Sequence, residues 1–501
     1  MTVFNIRRGF ATNSSSTHSV VFCSTPHGLK DYLAETEGHY GWENFVLASP
    51  HEKMKYLASH LIRQVGADVA RPALDIIGVD PEELVRGKTY DGKTDYMAVD
   101  HQSMMAFPLL ASGAVNTEFF RDLATAISAP SVVILGGNDN SEGHPDSDVG
   151  TESTFTSVLQ GFYTYQGEKS VLRSKKDKAG WWALYSTRTG LKVRGSFDPN
   201  APRPEFSYRP ELVDLKITDF CEEGCSYCYQ GSTPSGKHAD LEYIEDIADA
   251  LAFMGVFEVA IGGGEPTTHP HFRRILEMFI ERGITPNFTT RSTKWFKELD
   301  GLQDAIGGVA FSTQTPTDVR LLNERLKELG VRVEPWLYDS AKKEGWNLVH
   351  QHVMGMETRK EFEAYLKAID ASKIHSLTLL GYKTTGRGGS PKLTKVVNAY
   401  PWLAEALFEA TKKYYANWGV DTAIVQTHGA SLVKVGAKKV YLSNSEGAFS
   451  MYIDAVAKQA GPSSYHPEHM MEIKDPEDLE LMYQAMPSAL RPGVVEYGRR
   501  Q

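Results

Sequence analysis

LVDLKITDFCEEGCSYCYQGS, residues 212–232, runs from a short apolar segment straight into a loop that holds three of the chain's four cysteines. Residues 212–218 read as a β-strand, a β-prone run that ends where polar and turn-forming residues begin. Downstream, DLEYIEDIADALAFMG (240–255) sets Leu241, Ile244, Ile247, Ala248 and Leu251 on one helical face, with Gly255 as its stop. The alternation then repeats: FEVAIGG, HFRRILEMFIERG, ITPNFTT, GGVAFST, either VRVEPWLYD or NLVHQHVMG, and SLTLLGY, with helical segments between most of them. Strand followed by helix, repeated, requires parallel strands with helices outside, as a barrel-like or an open sheet, so the fold class is α/β. Such sheets place their sites at the carboxyl ends of the strands, which is where the cysteine loop falls.

Working outward, residues 1–197 read as an α+β accessory domain with a polar break at 136–154 and a hairpin over 181–197 turning at Thr187–Gly190. The Pro-rich segment 198–210 reads as a linker. Residues 211–395 form the core, and 396–501 add a helix beginning at WLAEALFEATKKYYANWG (402–419) and a small C-terminal cap. The chain has 501 residues, 41% hydrophobic and 23% charged, an ordinary soluble composition. A net charge of −10 argues against a broad grip on nucleic acid, although a local basic groove stays open. Nothing at the N-terminus resembles a signal peptide and no run is apolar enough to span a membrane, so the expected location is cytoplasmic with no membrane partner.

Cys221, Cys225 and Cys228 have the spacing C-x3-C-x2-C. Three thiolates on one tight loop ligate either a zinc ion or three irons of a cubane cluster. Structural zinc normally takes four protein ligands; His238 or His269 would complete such a site, and a zinc-binding scaffold is the non-enzymatic alternative. Cys23, in SVVFC, reads as a buried, inert thiol. One βα unit after the cysteines comes IGGGEPTTHP (261–270), where glycines allow close approach to the backbone and exposed N–H groups, and Glu265 offers a carboxylate to a cation such as an ammonium.

Together, these motifs resemble the radical S-adenosylmethionine (SAM) superfamily over about residues 210–395. The resemblance implies a partial (β/α)6 TIM-like barrel and an oxygen-sensitive [4Fe–4S] cluster held by Cys221, Cys225 and Cys228, with one iron left for the amino and carboxylate groups of SAM. Tyr227 then lies near the adenine, and Gly263, Gly264 and Glu265 match the GGE signature that binds the methionyl amino group. By the same resemblance Thr290, at the end of the third strand, is a further candidate cofactor contact, Ser312 is placed to meet the ribose or carboxylate, and Gly355 falls at an adenine contact. The implied activity is reductive cleavage of SAM to a 5′-deoxyadenosyl radical that abstracts hydrogen from a substrate, with an electron donor such as flavodoxin or ferredoxin as partner.

EGAFSMYIDAVAKQAGPSSYHP (446–467) resembles a cysteine-free version of the SPASM-like extension of peptide-modifying members. With the acidic charge, it makes a peptide or protein side chain the expected substrate; modification of a nucleic acid or nucleotide is the alternative. Lys383 and Arg387 in GYKTTGRGG (381–389) are candidate ligands of a substrate carboxylate or phosphate, or else a solvated basic turn. FATNSSSTHS (10–19) reads as a turn satisfying its own backbone. Ser14, Ser15 and Ser16 with His18 lack an acidic orienting partner, and His101 reads as a buried, satisfied histidine.

Overall fold

The structure, a computed structural model, describes residues 2–7, 16–22, 32–33, 40, 45–99, 104–110, 112–129, 132–138, 172–188, 190, 192–198, 201, 204–333, 345–394, 400–414, 417–437, 442 and 447–486. Cys23, Ser14, Ser15, His101 and most of the polar break at 136–154 lie outside the described residues. The chain divides into two compact units, 1–203 with 339–342 and 204–338 with 343–501.

In the first unit the strands are β1 (Thr2–Arg7), β2 (Ser16–Phe22), β3 (Tyr32–Leu33), β4 (Phe45–Leu47), β5 (Val85–Lys88), β6 (Thr94–Tyr96), β7 (Val132–Asn138), β8 (Leu172–Lys176), β9 (Trp182–Ser186) and β10 (Lys192–Ser196). They form sheets in the orders β1-β10-β9-β8, β2-β7-β4-β3 and β5-β6. Helices α1 (Pro50–Val65), α2 (Ala67–Ile77) and α3 (Thr117–Ser128) complete an α+β unit whose core includes Tyr56, Leu57, Leu61, Leu74, Phe119 and Phe120. The hairpin read from 181–197 is β9–β10, antiparallel, with the Gly190 N–H donating to the Ser186 carbonyl at 2.9 Å. Lys53 is fully buried because its ammonium donates to the carbonyls of Ala129 and Val132, at 3.0 and 2.9 Å, just beyond the end of α3.

The second unit carries β11 (Leu212–Thr218), β12 (Glu258–Gly263), β13 (Thr285–Thr290), β14 (Val309–Ser312), β15 (Leu348–Val353), β16 (Ser376–Leu380), β17 (Asn417–Val420), β18 (Ser450–Asp454), β19 (Gln459–Gly461) and β20 (Met471–Glu472). Its helices are α4 (Leu241–Phe253), α5 (Phe272–Glu281), α6 (Pro316–Glu328), α7 (Arg359–Asp370), α8 (Pro391–Thr394), α9 (Leu403–Lys413), α10 (Thr422–Lys434) and α11 (Leu479–Ala485). One sheet runs β17-β16-β15-β14-β13-β12-β11-β18-β19-β20, parallel from β17 through β18 and antiparallel only in the last two strands. The edges β17 and β20 do not pair, so this parallel α/β wall is open, a partial barrel.

Alternation within the strands explains the wall. Val213, Leu215, Ile217, Val259, Ile261, Phe288, Val309 and Phe311 pack in one core with Ile244, Ile247, Leu251, Ile275 and Phe279 of the flanking helices. Each such side chain contributes about 1.5–3 kcal/mol by burial. The alternate positions, including Asp214, Ala260, Gly262, Asn287, Ala310, Ser312 and Gln351, are small or polar and stay partly exposed. A closed barrel fills its interior with layers of bulky branched side chains; this strand set leaves a concave polar face instead. Capping boxes at Thr315–Asp318 and Thr358–Glu361 fix the starts of α6 and α7 at the ends of β14 and β15.

Three details differ from expectation or settle it. NLVHQHVMG supplies the fifth strand, and Val333 of the other candidate bridges to Trp346, the rest of that candidate (334–339) lying outside the described residues. The helix begun at 402–419 stops at Lys413, where Tyr414 turns extended, and Asn417–Val420 adds a seventh strand beside β16. Within 446–467, Ser450–Asp454 and Gln459–Gly461 enter the sheet, with Leu212 paired to Ser450 in parallel register, and extend the wall beside β11. Residues 204–210 of the proposed linker are strapped to the second unit through the Ser207 N–H on the Ala448 carbonyl at 2.9 Å and an Arg209–Glu480 ion pair at 2.8 Å. Among the described residues no helix is long and apolar enough to cross a membrane.

Candidate functional site

The cysteine loop leaves the carboxyl end of β11. Cys221, Cys225 and Cys228 are free and half-buried. The Cys221 N–H donates to the Thr233 carbonyl at 3.0 Å and the Cys228 N–H to the Cys225 carbonyl at 3.2 Å, which folds the loop back on itself. A second loop braces it from below. Arg387 donates its backbone N–H to the Cys228 carbonyl (2.9 Å), Nε to the Cys225 carbonyl (2.9 Å) and Nη1 to the Ser232 carbonyl (2.6 Å). Gly386, at φ 54°, sits so close beneath that a Cβ would stand 2.4 Å from the Tyr229 carbonyl oxygen. Arg387, read as a candidate ligand for a substrate anion, therefore has its guanidinium on the main chain of the cysteine loop. Arg387→Met removes two charge-assisted hydrogen bonds, each worth about 1.5–3 kcal/mol when fully buried. Discounted for partial exposure, the expected loss is about 2 kcal/mol in chemical denaturation of the second unit.

The GGE turn packs against the same strand end. The N–H groups of Gly264 and Glu265 donate to the carbonyls of Thr218 (2.7 Å) and Phe220 (2.8 Å). A Cβ at Gly263, where φ is 125°, would stand 2.3 Å from the Thr218 oxygen, and one at Gly264 2.0 Å from that of Phe220. These two glycines thus serve chain-to-chain packing, and the N–H groups of Gly264 and Glu265 are spent inside the protein, not exposed to a ligand as the motif suggested. Gly262 is different: a Cβ there meets nothing within 4 Å.

Glu265 is buried and held by four donors. Its Oε1 accepts from Thr290 Oγ1 (2.7 Å), Thr267 Oγ1 (2.7 Å) and the Thr267 N–H (3.2 Å); Oε2 accepts from the Arg291 N–H (2.9 Å). Oε2 keeps an acceptor position, which suits an ammonium. Thr290, proposed from sequence as a cofactor contact, is the buried residue that orients this carboxylate. Arg291, which sequence reading missed, reaches Cys225 Sγ with Nη1 at 3.0 Å and pairs Nε with Glu223 at 3.6 Å. Tyr227 stands beside Cys225 and Arg291; burial, then the neighbouring Cys225, pushes its phenol above the ordinary range. Ser312 ends β14 half-buried on the concave face, and Gly355, at φ 107°, directs its N–H toward Glu357 at 3.4 Å.

Below this rim the concave face is acidic. Buried Lys216 joins Asp454 at 2.9 Å and Asp219 at 2.5 Å, and although burial alone would lower its ammonium, those two carboxylates raise it overall. Lys383 lies over the rings of Tyr229 and Tyr465, at 4.6 and 4.7 Å, and its charge is felt by Asp214 and Asp421. Burial pushes Asp214 up from 3.8 to about 6, with Lys383 opposing and Glu258 adding to the rise; Tyr452 also faces it. Because the folded form holds this proton more tightly than the unfolded chain, Asp214 favours folding below about pH 4 and the gain is lost as pH rises to about 6. Asp214→Asn is expected to remove that part of the fall, seen as a flatter stability profile than the parent between pH 4 and 6 in parallel urea titrations.

The donor set tests what the loop can hold. His269 uses both ring nitrogens, Nε2 on the Ala239 carbonyl at 3.0 Å and Nδ1 accepting the His271 N–H at 3.2 Å. His238 has Nδ1 on Thr218 Oγ1 at 2.8 Å. Among the described residues no three His, Cys, Asp or Glu side chains converge as ligands of a single ion do. Three free, half-buried thiols on one loop are a donor set that a cluster taking one thiolate per iron would use.

An open parallel α/β wall, with three free thiols on the loop after its first strand and a clamped carboxylate at the end of the second, defines a protein whose chemistry sits at the carboxyl ends of its strands. Residues 215–369 match the family profile of the Radical SAM superfamily. Its relatives include the GTP 3′,8-cyclase of Photorhabdus laumondii, 29% identical over 98 residues, which are 19% of this chain and 30% of that protein. Another is the mycofactocin maturase MftC of Mycobacterium ulcerans, 32% identical over 89 residues, 17% of this chain and 23% of that one. The chain thus spans a third or less of the length of these relatives. Among solved structures, Streptococcus suis SuiB aligns with a TM-score of 0.45 at 12% identity, covering 64% of this chain and 88% of SuiB.

Proposed function

We propose that this chain is a radical SAM enzyme in which Cys221, Cys225 and Cys228 hold a [4Fe–4S] cluster and Glu265 receives the amino group of SAM, with a peptide or protein side chain as substrate. The observation that carries the reading is the adjacency of the three free thiols to a carboxylate fixed by Thr290, Thr267 and Arg291. When bound, the cluster and SAM supply one-electron cleavage of a carbon–sulfur bond and a carbon radical. The polypeptide's part is positional: Arg387 holds the loop, Thr290 and Arg291 orient Glu265, and the concave face shapes what enters.

Charge on that face supports the peptide reading. Lys216 is held between two carboxylates, Lys383 lies over the rings of Tyr229 and Tyr465 where the charges of Asp214 and Asp421 offset its own, and Arg387 is spent on main-chain carbonyls. A polyphosphate would meet an acidic wall. The rival reading, a nucleotide substrate, is favoured by the similarity to GTP 3′,8-cyclases. The segment 446–467 has no cysteine, so the reading includes no auxiliary cluster there.

Anaerobic reconstitution with iron and sulfide tests the class: about four irons per chain and dithionite-dependent 5′-deoxyadenosine are expected, whereas colourless protein with one tightly held zinc overturns it. Substrate class is read from label transfer. Deuterium entering 5′-deoxyadenosine from a deuterated peptide digest supports the peptide reading, and transfer from deuterated GTP replaces it with the nucleotide reading.

A further inference from the structure

The residue after the third core strand touches both halves of the site. Arg291 donates its main-chain N–H to Glu265 Oε2 at 2.9 Å, while its guanidinium Nη1 stands 3.0 Å from Cys225 Sγ. Its Nε faces Glu223, two residues before Cys225, at 3.6 Å. Thr290, its neighbour, holds the other oxygen of the same carboxylate at 2.7 Å. Arg291 is therefore anchored at its backbone by β13 and at its side chain by the cysteine loop, and it is half-buried, where a charge acts more strongly than in water. Among the described residues, Cys225 is the cluster-loop cysteine whose sulfur has a guanidinium on it.

We infer that Arg291 is a positioning and tuning residue that raises the reduction potential of the cluster through its N–H···S hydrogen bond to Cys225. The inference rests on the reading that the three thiols hold a [4Fe–4S] cluster. The physical reason is charge. Adding one electron makes the thiolate-bound cluster more negative, and a cationic donor fixed on one ligand sulfur stabilises the reduced form more than the oxidised one. Hydrogen bonds to the sulfurs, net charge and solvent exposure are the levers that set such potentials. The chain pairs this cation with the Glu265 carboxylate through a single residue, so the geometry that orients Glu265 also fixes the distance to the sulfur.

Arg291→Gln keeps a hydrogen-bonding side chain and removes the charge; Arg291→Lys keeps the charge and loses the planar fork. Each variant and the parent protein would be reconstituted anaerobically, counted for iron, and titrated with dithionite as the electron source while the reduced cluster is followed by electron paramagnetic resonance. The expected result is about a tenfold smaller reduction equilibrium constant for Arg291→Gln, equal to about 59 mV toward lower potential for one electron, with Arg291→Lys between it and the parent. About four irons per chain in all three proteins and an unchanged midpoint would overturn the inference and leave the cluster reading standing. Loss of iron from both variants alone would also overturn it, since Arg291 would then retain the ligand and not tune it. A parent protein that takes up no iron fails the underlying reading instead.

Discussion

Replacing Cys225 with alanine is expected to leave the second unit folded, to drop iron in the reconstituted protein from about four per chain to near none, and to take 5′-deoxyadenosine formation to the level of a protein-free control. The same holds for Cys221 and Cys228. Fold and function separate here because all three thiols are free and partly exposed, and none belongs to the apolar core of the second unit. Deleting one sulfur removes little packing, so the metal-free variants should stay within about 1 kcal/mol of the parent in urea denaturation. Activity has no such tolerance: two thiolates cannot hold three corners of a cubane, and His269 has both ring nitrogens committed, to Ala239 and His271. Product formation that persists undiminished in any of the three variants would remove the basis of the enzymatic reading.

Much of this could be read from the chain before its structure was considered, for reasons of range. The strands and helices between Leu212 and Leu380 are local, carried by β-prone runs, amphipathic periods and capping residues such as Thr315 and Thr358. The cysteine spacing and the GGE turn are local too. What escaped is non-local. β18 joins the wall beside β11 from far along the chain, and no feature of SMYID says which strand it will meet. Lys216 and Asp454, bonded across 238 positions, are invisible as a pair in sequence. One clue was available: Asp214, Lys216 and Thr218 alternate with Val213, Leu215 and Ile217, which marks one face of the first strand as polar. Arg387 and Arg291 show the limit from the other side. Sequence shows the cation but not what its guanidinium faces, and here one faces carbonyls and the other a sulfur.

The first and last of the three consecutive glycines at 262–264 should respond differently to alanine. At Gly264 the added carbon would stand 2.0 Å from the Phe220 carbonyl oxygen, an atom of the main chain that no side-chain rotation can move aside. Relief requires the turn after β12 to part from the end of β11, which breaks the Gly264-to-Thr218 and Glu265-to-Phe220 hydrogen bonds and carries Glu265 away from Thr290. Overpacking and two lost buried hydrogen bonds together imply about 3–5 kcal/mol of destabilisation. Gly262→Ala meets nothing within 4 Å and, having no left-handed backbone to strain, should change stability by less than about 1 kcal/mol. Its methyl projects instead from the strand position paired with Lys216, onto the concave face, where it takes up room that a bound cofactor would use. Urea denaturation and equilibrium binding of SAM to the reconstituted proteins separate the two: Gly264→Ala loses stability first and binding with it, whereas Gly262→Ala keeps its stability and weakens SAM binding. Equal stability of the two variants would show that the turn after β12 is not pressed against the end of β11, and the orientation of Glu265 derived from that packing would fall with it.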